Sequence, residues 1–196
     1  MTIKYWIGGD GDISDTEHLS LSSGGASGAS KLTSADTLIV DGNSNIVILL
    51  DELWAWGRNV LGTLGDGTTT ERHAPVQIGS STWKTITAGR FHSLAILGDD
   101  TLWAWGNNQS GQLGDGGVTQ RNSPVQVGSS TWESIIAGGV FSIGIQSDDT
   151  LWAWGQNNHG QLGDGGTTDG HAPVQIGSST WKLIGAGDDH SLAILS

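Results

Sequence analysis

The pentapeptide Leu-Trp-Ala-Trp-Gly occurs three times, at residues 53–57, 102–106 and 151–155. The copies follow one another at a constant interval of 49 residues, so the repeat carries no insertion. Within each copy come Leu-Gly-Asp-Gly, Pro-Val-Gln, Gly-Ser-Ser-Thr-Trp and an Ala-Gly pair, always in this order. A fixed period of this length indicates that the fold is assembled from repeated supersecondary units.

Each repeat predicts four short β-strands, which in the first copy lie at 53–56, 75–78, 83–88 and 93–97. Their Trp, Val, Ile and Thr residues alternate with a period of two, and Gly and Ser clusters separate them. Both Trp side chains of the pentapeptide fall on one face of its strand. Four strands in about 50 residues favour a β-propeller blade. The proline is expected to open its strand, where a missing N–H is tolerated.

Two stretches identify the repeat more closely, WGNNQSGQLGDG at 105–116 and WGQNNHGQLGDG at 154–165. They resemble the signature of RCC1-type (regulator of chromosome condensation) repeats, as do AGRFHSLAI at 88–96 and AGDDHSLAI at 186–194. The resemblance covers residues 53–196 and implies an all-β fold with propeller blades of four antiparallel strands. Because a closed propeller typically needs about 4–8 blades, three copies predict a partial propeller, completed by further sequence or by other chains.

The repeats divide the chain into two predicted regions. Residues 1–43 are expected to form a small β-rich attachment or capping segment with a Gly/Ser-rich loop at 20–30. Residues 44–196 are expected to form the propeller region, in which 44–52 resemble the last strand of an earlier copy. The repeat boundaries within that region are 53–101, 102–150 and 151–196.

Composition excludes several classes of function. Eight Lys and Arg oppose 20 Asp and Glu, a net charge of −12, so the basic stripe of a nucleic-acid-binding protein is missing. The chain has no Cys, which excludes disulfides, thiol chemistry and Cys-ligated zinc. No apolar run reaches the length of a membrane span, and the N-terminus lacks the apolar region of a cleaved signal peptide. We therefore expect no nucleic-acid partner and no membrane insertion.

The sequence offers no catalytic constellation. It contains no Gly-x-Ser-x-Gly, phosphate-binding loop, paired-carboxylate or dinucleotide motif, so we expect a protein that is not an enzyme. The recurring Asp of Leu-Gly-Asp-Gly is expected to shape a tight turn. His92 and His190 share a repeat position with Phe141, which argues for a structural rather than a catalytic histidine.

One metal site is a candidate. The carboxylates Asp10, Asp12, Asp15 and Glu17 are the oxygen ligands that Ca²⁺ prefers, although the EF-hand pattern is absent and solvated surface carboxylates are the alternative. Apart from this Ca²⁺ we expect no cofactor.

Differences between the copies predict a binding face. The connections between successive antiparallel strands alternate between two faces, and the constant Gly-Ser-Ser-Thr and Asp-Asp-Thr turns fall on one of them. The variable segments fall on the other, and variable loops on a rigid scaffold are typical of recognition surfaces, although neutral drift would give the same pattern. The candidate binding residues are Arg58, Leu61, Arg72, His73, Arg90, Phe91, Gln109, Arg121, Asn122, Phe141, His159, His171 and Asp188.

Two functional hypotheses follow. The stretch at 5–20 is weakly similar to the start of bacterial and phage surface proteins, which favours a structural or adhesive propeller of a phage tail fibre or other extracellular appendage. That hypothesis predicts a location on a virion or cell surface. Its partners would be a cell-surface glycan or protein receptor and other virion or appendage subunits, with the chain a homo-oligomer, for example a trimer. The alternative is a soluble RCC1-like protein-interaction module acting as a scaffold, an inhibitor or a GTPase regulator.

Overall fold

The computed structural model describes residues 52–196 and the backbone of four short strands before them. These strands are β1 (Trp6–Ile7), β2 (Leu19–Ser20), β3 (Thr37–Val40) and β4 (Ile46–Leu49), paired antiparallel as β1 with β2 and β3 with β4. Residues 1–51 and 52–196 form two compact units. The expected strand within 44–52 is present as β4, whereas the calcium candidates Asp10, Asp12, Asp15 and Glu17 lie outside the described residues.

Residues 52–196 consist of β-strands and their connections. The strands are β5 (Trp54–Gly57), β6 (Arg72–Gln77), β7 (Trp83–Ala88), β8 (His92–Leu97), β9 (Thr101–Gly106), β10 (Arg121–Ala137), β11 (Phe141–Gln146), β12 (Thr150–Gly155), β13 (Gly170–Ala186) and β14 (Ser191–Leu195). The four strands predicted for the first repeat are confirmed, each with an end shifted by at most three residues except β7, whose bounds agree.

The strands form propeller blades that are offset from the sequence repeat. β5 pairs with β6, and β7 to β14 form one continuous antiparallel ladder in chain order. The 17-residue strands β10 and β13 each serve two blades, because the first part of β10 pairs with β9 and its last part pairs with β11. One blade is thus β7, β8, β9 and the start of β10, and the next is the end of β10, β11, β12 and the start of β13. The expected all-β, partial propeller with four-stranded blades is confirmed.

The proline does not open its strand as predicted. β6 begins at Arg72, three residues before Pro75. The register of β6 against β5 shifts between the Gly57–Arg72 pair and the Ala55–Val76 pair, which places the proline in an irregular stretch of the outermost strand. A missing N–H is tolerated there because the ladder is already interrupted.

The hydrophobic core lies between neighbouring blades. The Trp residues of the Gly-Ser-Ser-Thr-Trp segments, Trp83 and Trp132, are buried and contact the second Trp of the following pentapeptide, with ring centroids 5.9 Å apart for Trp83–Trp105 and 5.5 Å for Trp132–Trp154. Around them pack the apolar residues of both adjoining blades, such as Leu94, Ile96 and Ile135. The predicted placement of both pentapeptide Trp side chains on one face is confirmed, because Trp103 also packs against Trp83.

A single carbonyl group joins each blade to the next. The indole Nε1 of Trp105 donates to the Thr63 carbonyl at 2.8 Å, and the Ser93 hydroxyl donates to the same oxygen at 2.9 Å. One repeat later, Trp154 and Ser142 donate to the Gln112 carbonyl at 2.9 and 2.8 Å. The indole lies so close to the loop that a Cβ at Gly114 would be 2.8 Å from Trp154 Nε1, so this position requires glycine. Trp56, at the same repeat position, is 61% exposed.

We expect Trp154→Phe to lower the free energy of unfolding by about 1–3 kcal/mol, because the buried Gln112 carbonyl loses its indole donor. Trp56→Phe is the matched control and should change it by less than about 0.5 kcal/mol, since an exposed position away from the core has little effect. Urea unfolding followed by circular dichroism measures both. Equal losses for the two variants would contradict the assigned role of this hydrogen bond.

Candidate interaction face

The strand connections separate onto two faces, as predicted. Residues 58–71, 89–91, 107–120, 138–140, 156–169 and 187–190 form what we call the loop face, where Asn107 N donates to the Phe91 carbonyl at 2.8 Å and Gln156 N to the Val140 carbonyl at 3.0 Å. Residues 79–82, 98–100, 128–131, 147–149 and 177–180 form the turn face. There Trp132 N and Trp181 N donate to the carbonyls of Asp100 and Asp149, each at 2.9 Å.

Neighbouring repeats are joined across the loop face. Gly67 N donates to the Asn122 carbonyl and Gly116 N donates to the His171 carbonyl, both at 2.9 Å, so each long loop is bonded to the strand that begins the next outer edge. The hairpin tip at Gly139 donates to the Asp188 carbonyl of the following tip at 3.2 Å. The loop face is therefore one continuous surface across the three repeats.

A buried asparagine organises each long loop. Asn59, Asn108 and Asn157 are fully buried, and each accepts a hydrogen bond at its Oδ1 from the backbone N–H five residues later, at 2.9–3.0 Å. Their Nδ2 atoms donate to the recurring aspartate seven residues on, at 2.9–3.0 Å. A side-chain amide that uses both its ends in this way holds the loop in one conformation. The sequence analysis overlooked these asparagines, although they recur at one repeat position together with the aspartates.

The recurring aspartates shape the turns, as predicted. Asp66 Oδ1 accepts from the backbone N–H of Thr68 at 3.0 Å, from its hydroxyl at 2.8 Å and from Asn59 Nδ2, which makes an Asx turn. Burial by itself raises the pKa of Asp66. Hydrogen bonds from Thr68, Arg72 and Asn59 outweigh that effect and lower its pKa to about 2. The carboxylate therefore stays ionised over the physiological pH range and the turn persists.

Two of the candidate binding arginines are tied to these aspartates. Arg72 contacts Asp66 Oδ2 through Nε and Nη2, both at 2.6 Å, and Arg121 contacts Asp115 Oδ2 at 2.9 and 2.7 Å. Such charge-assisted pairs support the loop from within. The third repeat has Gly170 at this position, so Asp164 keeps its asparagine and backbone partners without an arginine.

The structure brings most of the other candidates to the loop face as exposed or half-buried groups. Arg90 is exposed, and its guanidinium lies 4.9 Å from the centroid of the Phe91 ring. Leu61 and Asn122 are half-buried, and Asn122 also accepts from Gln120 at 2.7 Å. The remaining exposed candidates are Arg58, His73, Gln109, His159, His171 and Asp188.

Phe141 was wrongly assigned to the binding face. Its side chain is 0% exposed and belongs to the core between two blades, where it packs with Ile143 and Leu162. A Cβ at Gly138 would be 2.2 Å from its ring, so the hairpin tip folds directly over the phenylalanine. The variability of this repeat position reflects two ways of filling one buried site, not a change of exposed surface.

The histidine at the same repeat position is also structural, as predicted. His92 is buried, and its Nε2 lies 2.8 Å from the Ser142 hydroxyl, which in turn donates to the Gln112 carbonyl. Because that hydroxyl spends its proton on the carbonyl, the neutral ring donates through Nε2. Burial lowers the pKa of His92 to about 4. His190, in the third repeat, is exposed.

The described residues bring no metal centre together. Within residues 52–196, no three His, Asp or Glu side chains cluster closely enough to hold an ion. Nor does this part of the chain contain a helix long and apolar enough to cross a membrane.

Comparison with known families follows from this geometry. Residues 51–96, 99–145 and 148–194 match the family model described as the regulator of chromosome condensation (RCC1) repeat, and 83–112 and 133–161 match a second model of the same description. The chain belongs to the RCC1-repeat family. No curated protein sequence matches it significantly.

Solved structures of RCC1-type proteins share the fold. Human WBSCR16 is 18% identical with a TM-score of 0.68, covering 76% of this chain and 41% of that one. Prp20p from Saccharomyces cerevisiae is 20% identical with a TM-score of 0.65, covering 74% and 40%. Yeast RCC1 (Prp20) bound to Kap60 is 18% identical with a TM-score of 0.66, covering 81% and 40%. The chain thus spans about two fifths of these structures.

These comparisons correct two expectations and weaken a third. The expected partners, a surface glycan or receptor and virion subunits in a homo-oligomeric appendage, are wrong, because the matched yeast protein is described by its binding to Gsp1p, histones and Kap60. The expected virion or extracellular location is wrong for the same reason, since the matches are cellular proteins of human and yeast. The tail-fibre hypothesis has no support, and the protein-interaction alternative fits the RCC1 repeats better.

The buried histidine predicts a specific pH dependence. The pKa of His92 is lower in the folded chain than in the unfolded one, so its contribution to stability is complete above about pH 6.5 and is lost as the pH falls towards 4. The loss at pH 4 should amount to roughly 3 kcal/mol. His92→Phe, which copies the second repeat, should remove this part of the acid destabilisation.

His190→Phe is the matched control, because that histidine is exposed at the same repeat position. Urea unfolding of both variants and the parent chain between pH 4 and 8 measures the effect. A His92→Phe variant that loses stability towards pH 4 as steeply as the parent would contradict the assignment.

The loop asparagine predicts a second stability effect. Asn108→Ala should destabilise the chain by about 2–3 kcal/mol, because Leu113 N and Asp115 lose a buried partner. Gln109→Ala, on the neighbouring exposed residue, should stay within about 0.5 kcal/mol of the parent. Thermal unfolding of the two variants distinguishes them, and a neutral Asn108→Ala would refute the assigned role.

Proposed function

We propose that this chain is a protein-interaction module that presents its loop face to a partner protein and catalyses no reaction. The partners named for the matched yeast protein, Gsp1p, histones and Kap60, are all proteins. The proposed role requires no metal and no cofactor.

The observation that carries the proposal is the contrast between the inside and the outside of the long loops. Inside, all three repeats use the same buried asparagine and the same aspartate, with the same hydrogen bonds. Outside, equivalent exposed positions differ completely, as at Arg90, Gly139 and Asp188. A preorganised scaffold with variable tips binds with little loss of conformational freedom, which favours recognition.

Charge on the loop face is unevenly distributed, which favours a partner of complementary polarity. The first repeat contributes Arg58 and Arg90 beside Phe91, and an exposed Arg next to an aromatic ring is typical of binding hot spots. The third repeat contributes Asp188 and Asp189 at the equivalent tip. A partner would therefore place acidic groups near the first repeat and basic groups near the third, and this polarity would select its orientation.

Purified probes test the proposal directly. A small GTPase of the Gsp1p kind and core histones, the two classes named for Prp20p, are passed over the immobilised chain by biolayer interferometry. We expect at least one of them to bind saturably. The combined change Arg90→Glu and Phe91→Ser should weaken that binding at least tenfold, because it reverses a charge and removes an aromatic contact.

The control is Ser129→Glu, an exposed substitution on the turn face. It should leave binding unchanged, and thermal unfolding should show that all variants remain folded. If neither probe binds, or if the turn-face variant loses as much binding as the loop-face variant, the loop face is not the site.

A further inference from the structure

Three equivalent strands of the propeller have very different surroundings. Leu94 and Ile96 of β8 are both 0% exposed, and Ile143 and Ile145 of β11 are 3% and 2% exposed. The same repeat positions in β14 are Leu192 and Ile194, which are 67% and 58% exposed. The residues are of the same apolar type, so the difference comes from the neighbours and not from the sequence of the strand.

The two buried strands show what normally covers this position. β8 pairs on its outer side with β9, with Leu94 opposite Ala104 and Ile96 opposite Leu102. β11 pairs in the same way with β12. β9 and β12 have the identical sequence Thr-Leu-Trp-Ala-Trp-Gly. The covering element is therefore a strand of defined sequence and direction.

β14 lacks this neighbour in the described part of the chain. Its recorded pairing is with β13 alone, so its outer edge presents free backbone N–H and C=O groups beside exposed apolar side chains. An open apolar edge of this kind is a template for another strand.

The socket for the covering strand's second Trp is also formed and vacant. The equivalent carbonyl, that of Gln161, accepts a hydrogen bond from the Ser191 hydroxyl, as its counterparts do from Ser93 and Ser142. No indole approaches the adjoining glycine in residues 52–196. A Cβ at Gly163 would meet Ile176 at 3.6 Å, whereas at Gly65 and Gly114 it would be 2.8 Å from a Trp Nε1.

We propose that the outer edge of β14 is a docking site for an antiparallel strand of the pattern Thr-Leu-Trp-Ala-Trp-Gly supplied by a separate polypeptide. Main-chain pairing with β14 provides the affinity, and the Gln161 carbonyl, which accepts the indole of the second Trp, provides the selectivity. The site goes beyond the proposed function, since it lies on a blade edge and uses none of the loop-face residues.

A fluorescein-labelled synthetic peptide with the sequence of residues 99–108 tests the site by fluorescence anisotropy against the unlabelled chain. We expect saturable binding. A peptide with Phe in place of the second Trp should bind at least fivefold more weakly, because it cannot donate to the Gln161 carbonyl. A peptide with Ala at both Trp positions should show at least a fiftyfold loss.

Variants of the chain locate the peptide. Ile194→Lys should weaken binding at least tenfold, and its exposed position means that the fold is retained, which circular dichroism checks. Arg90→Glu, on the loop face, should leave peptide binding unchanged even if it abolishes binding of a loop-face partner. Absence of binding at millimolar peptide, or equal binding by the Phe-substituted peptide and by Ile194→Lys, would overturn the proposal.

Light scattering on the chain alone provides the remaining test. A monomer at the assay concentration is expected if a separate polypeptide supplies the strand. A larger species that Trp56→Ser and Ile194→Lys each return to a monomer would mean that a second copy occupies the edge, and that result would overturn the assignment to a separate partner.

Discussion

The stability of the propeller depends on a shared acceptor, the carbonyl oxygen that receives an indole N–H and a serine hydroxyl from the following repeat. At Gln112 both donors, Trp154 and Ser142, come from the repeat that forms the next blade. A buried carbonyl has two lone pairs, and here both are used. The bond fixes the distance at which the aromatic core between the blades closes, so backbone hydrogen bonding and apolar packing depend on the same contact.

The loops above this core gain their order from a different interaction, the asparagine–aspartate pair. The pair is repeated with nearly the same geometry although the residues around it change. It explains why two arginines at the rim, Arg72 and Arg121, serve the interior rather than a partner. The loop face therefore offers fewer free cations than its sequence suggests, and its exposed arginines, Arg58 and Arg90, both belong to the first repeat.

Much of the fold was predictable because the repeat gives several independent observations of one structural unit. Strand positions, the two faces and the structural role of Asp66 follow from periodicity and turn chemistry alone. The burial of Phe141 was not predictable, since a variable position in a turn segment suggests exposure, and only the tertiary contact with Gly138 shows otherwise. Pro75 was misplaced because sequence does not reveal that the ladder is already irregular beside it. Partners and location could not be derived, because a fold supports many functions and the weak likeness of the first residues carried too much weight.

The long strands β10 and β13 have a consequence for how such a protein can change in length. Each begins as the outermost strand of one blade and ends as the innermost strand of the next, so the unit of sequence is out of phase with the unit of structure. A gene duplication that copies one period therefore adds the equivalent of a whole blade while leaving both of its junctions chemically unchanged. Blade number can then vary in evolution without any compensating mutation in the core.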